Sequence, residues 1–96
     1  MQKTIPAYLA STYQLLQSAF PQGIENQDYL PLLVLLHDQM SDRSLAQVIA
    51  EFVGRDYPAV LNDVYGINAA SVARESLENV KQKLIRGGYE NWLLEG

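Results

Sequence analysis

The chain has 96 residues, 48% of them hydrophobic and 19% charged, which is enough apolar mass for one folded domain and too little for two. It carries 11 acidic against 7 basic side chains, and a net charge of −4 disfavours association with nucleic-acid phosphates. The absence of cysteine excludes disulfides, thiolate metal sites and cysteine nucleophiles.

Thr4 is placed to cap a first helix, with Pro6 in its opening turn. Ile5, Leu9, Thr12, Leu16 and Ala19 recur at steps of four and three, and Tyr8, Leu15 and Phe20 widen that stripe. This predicts an amphipathic helix of about four turns, stopped by Pro21 in a Phe20-Pro21-Gln22-Gly23 turn. A second helix follows, with Asp28 as its cap and Pro31 in its first turn. Its run Leu32-Leu33-Val34-Leu35-Leu36 leaves no face polar, so the expectation is a central helix enclosed by the others. The run is far short of the roughly 20 apolar residues that a membrane span needs. The amino terminus also lacks the basic-then-apolar order of a signal peptide, so a soluble cytoplasmic protein is expected.

His37, the single histidine, falls at the end of this helix, where a cationic or donor side chain suits free carbonyls. With no second histidine and no cysteine it lacks the usual companions of a metal site. Ser41 reads as the cap of a third helix, with Met40 and Leu45 at staple spacing and Leu45, Val48, Ile49, Phe52 and Val53 as its buried stripe. Gly54 ends it at a position that favours left-handed backbone. Asp56-Tyr57-Pro58 restarts the pattern, and Val60, Leu61, Val64 and Tyr65 form a fourth element before Gly66. Its β-branched residues leave a strand open as an alternative.

A last helix opens between Asn68 and Ser71, or as late as Ser76, with Ala73, Leu77, Val80 and Leu84 on its apolar face. Glu75 and Glu78 come early and Lys81, Lys83 and Arg86 late, the order that the helix dipole favours. Gly87 and Gly88 end it, leaving Tyr89, Trp92, Leu93 and Leu94 as an apolar tail. That tail is expected to fold back on the bundle or to pack on another copy of the chain. The predicted architecture is all-α: one compact bundle of about five short helices over residues 1–96, with 1–3 and 90–96 as tails. Its predicted core is Leu32, Leu33, Leu35, Leu36, Leu45, Ile49, Phe52, Val80 and Leu84.

The string Ala19-Phe20-Pro21-Gln22-Gly23-Ile24, with Asp28-Tyr29 and Pro31-Leu32-Leu33-Val34-Leu35-Leu36, carries a resemblance. So do Ser41-Asp42, Val48-Ile49-Ala50, Val80-Lys81-Gln82-Lys83-Leu84 and Gly87-Gly88-Tyr89. Together, over residues 15–89, they resemble a mycobacterial-type family of small helical bacterial proteins, the domain of unknown function 3349 family. The resemblance implies a helical bundle in a bacterial cytoplasm and brings no activity, cofactor or site residue with it. The chain departs from the family pattern at His37-Asp38-Gln39, where members tend to be basic, and in lacking prolines between Gly66 and Ser76.

No phosphate loop, nucleophile with a base, or convergent carboxylate pair is legible, so no catalytic, cofactor-binding or metal residue is nominated. The expected role is a non-catalytic interaction domain, with an unknown protein or a second copy as partner. Its candidate interface residues are Tyr8, Tyr13, Tyr89 and Trp92, residue types that anchor interfaces when they are not simply core. The alternative is a helix-turn-helix-like nucleic-acid binder. It would use the helices around residues 45–52 and 60–65, with Lys81, Lys83 and Arg86 as the basic cluster.

Overall fold

A computed structural model describes residues 6–95. Six α-helices follow one another: α1 (Ala10–Ala19), α2 (Asn26–His37), α3 (Asp42–Val53), α4 (Tyr57–Tyr65), α5 (Arg74–Arg86) and α6 (Tyr89–Glu95). Short 3-10 turns at Ala7–Leu9 and Ala69–Ser71 precede α1 and α5, and no strand occurs among the described residues. The fold class is therefore the all-α bundle that the sequence predicts, and residues 57–65 are helical. Thr4 and Ile5, proposed as cap and first stripe residue of the opening helix, lie outside the described residues.

One continuous core holds the helices together. Leu9, Leu15, Leu16 and Phe20 meet Leu32, Leu33 and Leu36 from α2, Leu45, Val48 and Ile49 from α3, Val60 and Val64 from α4, and Val80 and Leu84 from α5. The longest contact is between α3 and α4; α2 lies on α5, and α1 bridges α5, α3 and α6. Two predicted core residues, Leu35 and Phe52, are only half-buried against this core. The expectation that α2 is fully enclosed fails in the same way, since Leu30 is 47% exposed and Val34 half-buried. In a domain this small there are too few elements to surround any one helix, so even an all-apolar helix keeps a strip toward water.

The ends of α3 follow the local rules closely. The Ser41 hydroxyl accepts a bond from the Ser44 amide at 3.2 Å. Gly54 takes φ 75°, a left-handed conformation costly for other residues. Its amide and that of Arg55 both donate to the Ala50 carbonyl. Elsewhere the boundaries move. Helix α2 begins at Asn26, so Pro31 lies beyond the first turn and Asp28 is inside the helix instead of capping it. Asn68 caps the 3-10 turn through the Ala70 amide, and α5 starts at Arg74, within the range from Asn68 to Ser76 that the sequence allows. Residues 89–95, read from the sequence as a tail, form the sixth helix.

Candidate functional site

Tyr89 and Trp92 are one helical step apart on α6 and stack, with centroids 5.8 Å apart and planes 19° from parallel. The Trp92 indole Nε1 donates to the Thr12 hydroxyl at 3.0 Å, and Thr12 is 3% exposed. A buried hydroxyl is costly unless bonded, so this pairing specifies where α6 sits. Burial pushes the Tyr89 hydroxyl above its ordinary pKa. The tail thus folds back onto α1, one of the two outcomes expected of it.

The fold-back creates a groove of about 520 Å³ between α6, the 3-10 turn before α1, and the α2–α3 connection. Tyr8, Met40, Trp92 and Leu93 give it an apolar lining, joined by the polar Thr12, Gln39 and Ser44. Tyr8 is 69% exposed, off the buried stripe on which it was predicted, and Leu93 in the groove wall is 40% exposed. Of the four candidate interface residues, Tyr8 and Trp92 therefore converge on one groove, with Tyr89 stacked behind Trp92. Tyr13 is placed elsewhere, packed edge-on against Phe52 at 5.8 Å and 83°, where it joins α1 to α3. Sequence reading missed Met40 as a lining residue. It also missed the signal for α6, because Tyr89, Trp92 and Leu93 stand at the three- and four-residue spacing of a helix face.

The basic cluster of the nucleic-acid reading is divided by the fold. Lys83 Nζ donates to Asp28 Oδ2 at 2.6 Å and lies 5.8 Å from the Phe20 ring centroid, while Lys81 and Arg86 remain exposed. Asp28, predicted as a cap, is instead the buried anion of a tie between α2 and α5. The α3–turn–α4 pair exists, yet α4 carries Asn62 and Asp63 and no Lys or Arg. Asp63 is itself engaged: it accepts from the Tyr29 hydroxyl at 2.8 Å and lies 3.8 Å from Arg55. The Arg55 guanidinium sits 4.8 Å from the Tyr29 ring centroid. Burial first, then the bond and charge of Asp63, push the Tyr29 hydroxyl up to about 12, with Arg55 opposing.

His37, predicted to meet free helix carbonyls, has its Nε2 3.1 Å from Asp42 in the first turn of α3 and its Nδ1 3.8 Å from Asp38. It links consecutive helices. A second cleft, about 610 Å³, runs along α3 and the start of α4, lined by Gln47, Glu51, Arg55, Asp56 and Tyr57. It is the more polar of the two and gathers none of the candidate residues. Among the described residues, no group of three or more His, Asp or Glu side chains is arranged to hold a metal, and no helix is long and apolar enough to cross a membrane.

The fold and this groove define a small helical domain with an apolar recess beside its last helix. Residues 7–92 match the family model described as protein of unknown function (DUF3349), and the chain belongs to that family. Nothing among curated proteins or solved structures matches it significantly.

Proposed function

We infer that the domain is a non-catalytic protein-interaction module of a bacterial cytoplasm, docking an apolar segment of another protein in the groove beside α6. The observation that carries this reading is the convergence of Tyr8 and Leu93, both exposed, on a recess also lined by Trp92 and Met40. Aromatic and aliphatic side chains that converge on one recess are the usual anchors of an interface, whereas single exposed apolar residues carry no such meaning. Several polar side chains that catalysis could draw on make structural contacts instead: Asp28 with Lys83, Asp63 with Tyr29 and Arg55, His37 with Asp42.

Crosslinked capture from a bacterial lysate tests the reading, comparing the wild type with a Tyr8→Asp/Leu93→Asp double variant. Both residues are exposed, so the variant keeps its circular dichroism and unfolding midpoint. Loss of the captured protein in the variant supports the groove, and an unchanged catch refutes it. A titration with random duplex DNA at low salt addresses the alternative. Binding that weakens steeply as salt rises would place the function with nucleic acid instead.

A further inference from the structure

Three observations single out α6 as an element held differently from the rest. It has seven residues, far below the roughly 12–15 that an isolated helix needs to persist in water, so its seat alone keeps it helical. The joint before it is sharply defined. A Cβ on Gly87 would lie 2.8 Å from the Ala19 backbone nitrogen, which clamps Gly87 against α1. Gly88 next to it has φ 105°, and a Cβ there would meet nothing within 4 Å. Rotation therefore begins at Gly88 and leaves α5 in place. The seat is also open on both sides. Ser11 and Trp92 line the 520 Å³ groove on one flank and a second cleft of about 230 Å³ on the other. Between those clefts, the Trp92–Thr12 hydrogen bond ties α6 to α1.

The seat itself shows what it accepts. Leu9, Leu15 and Leu16 are buried, and the Thr12 hydroxyl accepts a bond from an indole N–H. A short helix with an aromatic pair one turn apart, the second member a tryptophan, satisfies that surface. A second copy of this chain carries such a helix on the same glycine joint. We propose that α6 is an exchangeable arm: it swings out about Gly88 and occupies the α6 seat of a second copy, which returns its own. Reciprocal exchange of one identical element closes as a two-fold dimer and leaves no seat empty. The exchange goes beyond docking of a foreign protein and does not depend on it, because each groove is rebuilt with a floor from one chain and an α6 wall from the other.

Two physical consequences follow. A short joint holds α6 near its own seat at an effective concentration on the order of millimolar, so the wild type is monomeric well below that and exchanges as it is approached. Both copies carry a net charge of −4, so screening their repulsion with salt favours the dimer.

The test uses the full chain and a Gly88→Ala variant. Alanine resists the left-handed turn and favours continuing α5 straight into α6, which disfavours the closed monomer. Light scattering after chromatography is expected to show the variant dimerising at a concentration about tenfold or more below the wild type. In mixed dimers of isotope-labelled and unlabelled chains, Trp92 of one chain should show nuclear Overhauser contacts to Thr12 and Leu9 methyls of the other. A dimer lacking those contacts overturns the proposal, as does a folded variant that stays monomeric at about 1 mM, the range of the effective concentration. Should Gly88→Ala not fold, hydrogen exchange on the wild type decides. The Trp92 indole N–H is expected to be protected about tenfold or more less than the Val80 and Leu84 amides, as for an element that opens locally. Equal protection would mean that α6 leaves only with global unfolding, and no arm exists to exchange. A failure here leaves the lysate capture untouched, since that experiment reads Tyr8 and Leu93 with α6 closed.

Discussion

Replacing Lys83 by methionine probes the tie that sequence reading mistook for a cap and a surface cation. Its Nζ lies 2.6 Å from Asp28 Oδ2; the aspartate side chain is 6% exposed and the lysine 36%. Methionine preserves the stem that passes Phe20 but leaves a carboxylate in a site nearly closed to water. Breaking a fully buried pair costs about 3–5 kcal/mol, and exposed pairs contribute about 0–1. The open lysine side lets water reach the orphaned carboxylate, and Asp28 retains the favourable field of the first turn of α2. The expected loss is therefore about 2–3 kcal/mol, below the fully buried range. In a domain of this size that lowers the melting temperature by about 10–20 °C, readable by calorimetry or urea unfolding with an unchanged m value. The companion Asp28→Leu/Lys83→Met should recover to within about 1 kcal/mol of wild type, because an apolar pair of similar volume carries no desolvation cost. A Lys83→Met loss below about 0.5 kcal/mol, or a double variant less stable than the single, would refute the description of Asp28 as a buried charge dependent on Lys83.

Gly87→Ala should destabilise the domain by about 1–3 kcal/mol in urea titration, since the new methyl meets the Ala19 backbone at 2.8 Å and that backbone has no side-chain freedom to yield. A gain in stability would show that α1 and α5 separate easily. Leu33→Ala should cost about 2–5 kcal/mol and half-buried Leu35→Ala about 1–2, a ranking that unfolding midpoints check directly. For Tyr29 the folded pKa is raised from 10.0 to about 12, so the folded state holds the phenolic proton more tightly than the unfolded chain. The stabilisation is complete below pH 10.0 and is lost as pH rises from there toward about 12. Tyr29→Phe should flatten that part of the stability–pH curve relative to wild type, and an unchanged slope would contradict the burial of the Tyr29 hydroxyl and its contact with Asp63.

The local chemistry of single helices was legible because its rules act within a few residues. Ser41 and Gly54 bound α3 as read, and Leu45, Val48 and Ile49 face inward at the helical period. Pro58 opens α4, and the glycines at 66 and 87 end α4 and α5. The resemblance of residues 15–89 to the family was legible too, carried by the turn at Phe20-Pro21 and the run that follows, and the match over residues 7–92 bears it out. What sequence could not settle depends on partners distant in the chain. Asp28 looks like a cap until Lys83, 55 residues on, is brought beside it, and Lys83 looks like a free cation until the same moment. Leu35 and Phe52 belong to apolar stripes, but the number of neighbouring helices decides how much of each stripe is covered. The groove is the extreme case. Tyr8 and Leu93 lie at opposite ends of the chain, and only the docking of Trp92 on Thr12, 80 residues earlier, makes them walls of one recess. Short-range hydrogen bonding and side-chain period are written in neighbouring residues; burial and pairing are properties of the packed whole.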